Sequence, residues 1–327
     1  MIISKTPLRI SFVGGGSDLP SYYQKEYGAV VSTAINKYIY ITVNPKFDDK
    51  IRASYSVTEM VDTADELKHE LIRESLKEMQ IKRGIEITSI SDIPSKGTGL
   101  GSSSSYTVGL LNALKAYKGE IASANYLADT ACSIEINRCG KKIGKQDQYA
   151  AAYGGINYIK FNPDGSVDVE PVVVTGKKLR EIEKNLLMIY TGISRSSNDI
   201  LIKQSKNVEA SPEKRSVMKK MVELADDLRF TLEKKSIEHF GNILDENWEL
   251  KKRLSDNITN ELIDKMYVRA KKHGAYGGKL LGAGGGGFLL LLAPASRHEE
   301  LRKAFREYKF VNVNFEPAGS RIIFIQE

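Results

Sequence analysis

Residues 94–105, Pro94-Ser95-Lys96-Gly97-Thr98-Gly99-Leu100-Gly101-Ser102-Ser103-Ser104-Ser105, form the strongest local signal in the chain. Glycines at alternate positions, 97, 99 and 101, let the backbone turn tightly and approach a ligand closely. A helical stripe follows from about Ser103 through Leu110, Leu111, Leu114 and Tyr117. The first turn of such a helix carries free N–H groups and the positive end of the dipole, which together favour an anion. The serine hydroxyls can add donors, or oxygen ligands for a hard cation such as Mg²⁺. The loop is expected to hold phosphate. A flexible Gly/Ser linker is the competing reading, but a linker would not carry Leu100 in its middle and lead straight into an amphipathic helix. The G-x-x-x-x-G-K-[ST] loop is absent, and the dinucleotide fingerprint, which follows a strand, does not fit.

Upstream, Ile2–Ile3, Leu8–Val13, Val30–Val43 and Ile85–Ile90 read as strands, with a helix from Asp65 to Met79 between the last two. Downstream, a helix is expected from about Ser123 to Cys139, then a polar loop from Gly140 to Gly155. Strands follow near Ile156–Phe161, Val167–Val174 and Leu186–Tyr190. Residues 198–273 are almost wholly helical in pattern, with breaks near Ser211-Pro212 and Ser255–Ile258. The strand Phe288–Leu292, a helix over about Arg297–Tyr308 and a strand Arg321–Ile325 close the chain. The order of elements suggests an α+β protein of two lobes, residues 1–175 and 176–327.

The 327 residues are enough for two packed lobes. Hydrophobic residues make up 41% and charged residues 27%, the balance of a folded globular protein. The net charge of +7 suits an anionic substrate without requiring one. No block of five or more basic residues and no nucleic-acid motif occurs, so nucleic-acid binding is not expected. Cys132 and Cys139 are seven apart in a helical pattern, about 10 Å along an axis, too far for a disulfide within one helix. Two reduced thiols and a cytoplasmic location are the reading. The longest apolar run, Phe288 to Ala293, is too short to span a bilayer, and the N-terminus does not read as a signal peptide.

Four further features carry candidate chemistry. Gly282-Ala283-Gly284-Gly285-Gly286-Gly287 precedes an apolar strand and is either a tight turn or part of a phosphate cradle. Pro7 to Asp18 places Arg9 on a strand and Asp18 beyond the turn Gly14-Gly15-Gly16-Ser17; Asp18 is either a ligand or a helix N-cap before Leu19-Pro20. Gly144-Lys145-Gln146-Asp147-Gln148-Tyr149 presents Asp147 as a held carboxylate with Lys145 near, suited to a substrate hydroxyl, or as a cap or turn residue. Glu135, among Cys132, Ile134 and Ile136, faces either inward, where it needs a metal or cation, or solvent.

Three of these motifs, in order, resemble the GHMP kinases: Lys5 to Asp18, Pro94 to Ser104, and Gly282 to Gly287. Gly144 to Gly155 and Tyr190 to Leu201 are similar to the sugar-1-kinase branch. The resemblance implies an N-terminal β/α lobe of ribosomal-protein type, a ferredoxin-like C-terminal lobe and an active site between them. It implies ATP and Mg²⁺ and no membrane partner, and leaves a homodimer open. The implied reaction is transfer of the γ-phosphate to the anomeric hydroxyl of D-glycero-D-manno-heptose 7-phosphate, giving the 1,7-bisphosphate. A fucokinase-type sugar kinase, an enzyme acting on an isoprenoid or amino-acid hydroxyl, and a non-catalytic sugar/ATP sensor are the alternatives.

Residue by residue, the resemblance gives Asp147 the catalytic role, with Arg9 as its partner. Pro94, Lys96, Gly97, Gly99, Leu100, Gly101, Ser102, Ser103 and Ser104 hold the nucleotide phosphates, and Ser103 and Glu135 the metal. Asp18, with Gly15, Gly16 and Ser17, holds the acceptor, helped by Lys145, Gln146, Ser194, Arg195, Gly284 and Gly285. Arg195, flanked by hydroxyls, is the preferred ligand for a substrate phosphate, ahead of Arg138, Lys142 and Lys145.

Overall fold

The computed structural model describes residues 1–94, 97–194 and 197–326, with the backbone alone at residue 197. Lys96 and Arg195 lie outside the described residues.

Strands β1 (Ile2–Val13) and β2 (Gly28–Pro45) pair antiparallel from Ile2↔Val43 to Val13↔Val31. The two N-terminal strands expected from sequence are one continuous strand, irregular at Pro7, which has no N–H to give the ladder. The 18-residue β2 serves two partners. Its C-terminal half pairs with β5 (Ile85–Ser91), which continues to β3 (Ile51–Ser54) and β4 (Thr58–Val61). Its N-terminal half pairs with β6 (Ile156–Phe161), which carries β7 (Val167–Pro171). The short hairpin β3–β4 carries too few apolar residues to have signalled itself. The helix Ser102–Tyr117 packs on β1 and β2, which the small residue Gly109 permits beside Thr6 and Ile41.

The second sheet has the order β11 (Lys309–Val311), β8 (Leu186–Tyr190), β10 (Phe288–Leu292), β9 (Gly277–Leu280), all antiparallel. Numbered along the chain this is 4-1-3-2, the order of a ferredoxin-like βαββαβ lobe. Between β8 and β9 the helical stretch is four helices: Ser197–Ala210, Pro212–Thr231, Ile237–Lys252 and Glu261–Lys272. Ser211, Ser236 and Asn260 each accept a first-turn N–H, at 3.2, 3.1 and 3.1 Å, and so start the last three. The break at Ser236 has no mark in the sequence pattern, because apolar periodicity continues through it. Phe12 meets Phe240 edge-on at 5.1 Å between ring centroids, joining β1 to the third of these helices. We propose 1–175 and 176–327 as the two lobes; one strand crosses that division, since β12 (Arg321–Ile325) returns to pair with β1.

Other expectations are corrected. The helix expected over Asp65 to Met79 begins only at Glu70, after a 3₁₀ turn at Ala64–Glu66, because Leu67 is extended. The helix from Ser123 is α-helical over Ala124–Cys132 and then a π-helix over Ser133–Arg138, where Cys139 N–H reaches back five residues to Ile134. The polar loop from Gly140 gives way to a helix, Gln146–Tyr153. The last helix is shorter than expected, His298–Ala304. Both cysteines are free thiols. No helix among the described residues is long and apolar enough to cross a membrane.

Candidate active site

The glycine-serine loop, the N-terminal turn, the Gln146 helix and the second glycine cluster line one cleft of about 540 Å³. Arg9 and Asp147, 138 positions apart, meet there. Arg9 donates from Nε to Oδ1 and from Nη2 to Oδ2 of Asp147, each at 2.8 Å, and from Nη1 to the Gly99 carbonyl at 2.6 Å. One guanidinium therefore ties the carboxylate to the loop in a planar fork. The Asp147 side chain is 24% exposed, so one lone pair of each oxygen stays available to a substrate. Asp147 lies in the first turn of its helix, where the dipole favours negative charge. Lys145 is not its partner: it donates to the Gly165 carbonyl at 2.6 Å, outside the cleft.

Gly101 precedes the helix Ser102–Tyr117 at φ +75°, a conformation that suits glycine. No described side chain caps the helix, and its first intrahelical bond is Ser105 N–H to Gly101. The amides of Ser102, Ser103 and Ser104 thus have no helical acceptor, and all three residues line the cleft. That is the donor set of an anion site. The second glycine cluster locks against this loop: a Cβ on Gly99 would strike the Leu281 carbonyl, and one on Gly282 would strike Gly99. The cluster is a tight turn, and Gly282, Ala283, Gly284 and Gly286 also line the cleft. Gly285 does not. It is buried, its N–H bonded to the Ile258 carbonyl at 2.9 Å and its own carbonyl to Asn260.

Glu135 faces inward, fully buried, because the π-helix carries it under the serine loop. It accepts from Ser103 Oγ at 2.9 Å and from Gln148 Nε2 at 3.2 Å. Burial raises its pKa above the usual carboxylate value. Lys141 stands over the same oxygens, 3.1 Å from Ser103 Oγ and 3.8 Å from Glu135. A buried carboxylate beside a hydroxyl, both hard oxygen donors, fits Mg²⁺, which takes one or two carboxylates and completes its shell with phosphate and water. No cluster of three or more acidic, His or Cys ligands exists among the described residues.

Asp18 does not cap the helix that follows it; Leu19 holds the N-cap position without a side-chain bond. Its carboxylate accepts instead from Gly16 N–H (2.9 Å), Gln146 N–H (3.2 Å) and Gln146 Nε2 (3.3 Å). Burial, and then the charge of Asp147, push its pKa up. Gly15, Gly16 and Gln146 line the cleft with it; Ser17 does not, being buried and bonded both ways to Ala29. Pro94, Leu100 and Ser194 also lie outside the lining, Leu100 wholly in the core. Arg138 pairs with Glu78 instead of facing the cleft.

Lys141, Lys251, Lys279 and Gln204 line the cleft without having been singled out in the sequence. Lys251, Lys279 and Gln204 read as ordinary helix and strand residues that only distant packing buries, while Lys141 lies half-buried in the polar loop after the π-helix. Lys279 gives its ammonium to the Phe12 carbonyl at 2.9 Å, and burial drives its pKa down. Lys251 donates to the Gly282 carbonyl at 2.5 Å, and burial, then the Arg9 charge, lower its pKa to about 8. The unfolded chain titrates it near 10.5. Between about pH 8 and 10.5 the unfolded state holds the extra proton, so stability rises with pH across that window. Below about pH 8 the folded protein carries the full deficit, about 3 kcal/mol at 1.36 kcal/mol per unit. Lys251→Met is expected to raise the melting temperature at pH 7 relative to the parent, with the gap closing by pH 10. Parallel melting curves from pH 7 to 10 would remove Lys251 from this account.

Comparison with known proteins shows the family. The sequence model described as the GHMP kinases N-terminal domain matches residues 63–155, and that for the GHMP kinases C-terminal region matches 228–310, together more than half of the chain. The chain belongs to the GHMP kinase family. It is an ATP-dependent phosphotransferase with an alcohol as acceptor. D-glycero-alpha-D-manno-heptose 7-phosphate kinase of Campylobacter jejuni subsp. jejuni serotype O:2 is 29% identical over 94% of this GHMP kinase and 93% of the relative. The bifunctional fucokinase/GDP-fucose pyrophosphorylase of Arabidopsis thaliana is 27% identical over 92% of the chain and 31% of the relative. The crystal structure of a D-glycero-D-manno-heptose 1-phosphate kinase from Bacteriodes thetaiotaomicron superposes with a TM-score of 0.82 at 26% identity, over the whole of both chains. The α+β, two-sheet architecture is the family's.

Proposed function

We propose that this GHMP kinase is a sugar kinase that phosphorylates the anomeric hydroxyl of D-glycero-D-manno-heptose 7-phosphate, giving the 1,7-bisphosphate. One observation carries the reading: Asp147, clamped by Arg9, shares a cleft with the uncapped serine helix start and a set of buried polar side chains. The full-length similarity to the Campylobacter heptose 7-phosphate kinase supports the choice of sugar.

Phosphoryl transfer depends mainly on positioning and on neutralising charge. The amides of Ser102 to Ser104 and the Lys141 ammonium would hold the nucleotide's phosphate oxygens. Ser103 and Glu135 would hold Mg²⁺, which when bound neutralises charge on the β- and γ-phosphates. Asp147 would accept the hydrogen bond of the acceptor hydroxyl through a lone pair that Arg9 leaves unused. The acceptor oxygen bonds to the γ-phosphorus as the bond to the β–γ bridging oxygen breaks. ADP leaves, and the hydroxyl proton passes to Asp147. Asp18 and Gln146, which sits beside Asp147 in the same helix turn, would orient the sugar.

The test is phosphorus and proton NMR of products after incubation with Mg-ATP and heptose 7-phosphate, alongside mannose, fucose, galactose and mevalonate. The expected result is a new phosphorus resonance coupled to the anomeric proton, with heptose 7-phosphate the best acceptor. Preference for free fucose would favour a fucokinase-type enzyme, as the Arabidopsis relative suggests. Preference for mevalonate would end the sugar reading.

A further inference from the structure

Gln204 lies on the helix Ser197–Ala210, wholly buried, and neither its amide nitrogen nor its oxygen has a hydrogen-bond partner among the described residues. A buried amide left unpaired is expensive, and proteins rarely retain one without a use. Gln204 lines the cleft, and a Cβ on residue 16 would collide with its nitrogen, so the glycine at 16 makes room for it. Two more unpaired polar atoms border the same turn. Ser11 Oγ and Gln146 Oε1 are buried without partners, and a Cβ on Gly15 would lie 3.3 Å from Ser11 Oγ and 3.5 Å from Gln146 Nε2. Gln146 Nε2 is already given to Asp18, which fixes that amide and leaves its oxygen to the cleft. Two consecutive glycines, without side chains, are thus flanked by two carboxamides and a hydroxyl.

We infer that Gln204, together with Ser11 and Gln146, forms a subsite that reads hydroxyl groups of the acceptor other than the one phosphorylated, and so selects a polyhydroxylated substrate. The inference rests on the sugar-kinase reading above. A carboxamide offers a donor and an acceptor side by side, and so do neighbouring hydroxyls on a sugar. A monohydric acceptor would leave these groups unpaired inside the complex, whereas a sugar satisfies them. Sites built to bond a hydroxyl reject the analogue that lacks it far more strongly than apolar pockets reject a missing methylene. Gln204 acts here as a specificity residue; the transferring phosphate is handled by the serine loop and Asp147.

The test compares the parent enzyme with Gln204→Leu and Gln204→Met on heptose 7-phosphate and on its monodeoxy analogues, the anomeric hydroxyl kept. The parent is expected to lose about 10- to 100-fold in kcat/KM on at least one analogue. Each variant should lose a similar factor on the full sugar, and should no longer distinguish it from that analogue. The ligand-free variants should melt no lower than the parent, because an unmet buried amide has been removed. An active sugar kinase whose variants keep the parent's discrimination, or lose activity equally on every acceptor, would overturn the inference alone. Parent enzyme that phosphorylates no sugar and accepts mevalonate would overturn it together with the sugar reading. The two failures are therefore distinguishable.

Discussion

Asp147→Asn is expected to lower kcat by about 10²- to 10⁴-fold, the usual worth of a positioned acid–base group. The dissociation constant for the nucleotide should stay within about threefold, under 1 kcal/mol. The split follows from the proposed roles, in which Asp147 would face the acceptor while the amides and hydroxyls of residues 102–104 would hold the nucleotide. The substitution also turns one oxygen into an amide that points N–H at N–H across the Arg9 fork. Arg9 is nearly buried and would be left with an unmet donor, so a loss of about 1–3 kcal/mol in stability should accompany the loss of turnover. Arg9→Met should lower kcat through the other half of the same unit. The double variant should then be little worse than the poorer single one, as expected for residues acting together. Steady-state kinetics, calorimetric nucleotide titration and thermal melts read these effects separately. Near-parental kcat in Asp147→Asn would exclude it from the chemistry.

Glu135→Gln should cut kcat by about 10²- to 10³-fold, corresponding to the several kcal/mol that a catalytic metal supplies. It should also move the Mg²⁺ concentration for half-maximal rate upward. The glutamine keeps the shape of the side chain and can still meet Ser103 and Gln148, so lost packing would not account for such a change. The folded protein should not be weakened, because a fully buried carboxylate whose charged form burial disfavours has been replaced by a neutral group. Ser103→Ala should shift the Mg²⁺ curve in the same direction by a smaller amount. An unchanged Mg²⁺ dependence with a lowered melting temperature would instead make Glu135 a structural support for the serine loop.

The parts of this site legible in sequence have local causes. A glycine run before a serine-led helix has few uses other than holding an anion close to the backbone, so Gly97 to Ser104 could be read without coordinates. Motif order then pointed to Arg9, Asp18, Glu135 and Asp147. Residue spacing alone pointed to the wrong partner for Asp147; the pairing with Arg9 came from the family resemblance, and the structure shows it. Lys145 is two residues from Asp147 and turns away to Gly165, while Arg9, 138 residues earlier, holds it. Nearness in sequence carries no information about which cation a carboxylate meets across a sheet.

The α+β class, most strands and helices and the glycine-serine loop that opens a helix were written in the sequence, since periodicity and backbone conformation are local properties; the role expected of Asp147 came from the family resemblance. Tertiary structure decided the rest. It wound residues 133–138 into a π-helix that carries Glu135 under Ser103, interlocked Gly99 with Gly282, and sent β12 back beside β1. It also buried Lys251, Lys279 and Gln204, which read as ordinary helix and strand residues. Burial of a polar group is fixed by whatever packs over it from elsewhere in the chain, and hydrophobic periodicity has no mark for that.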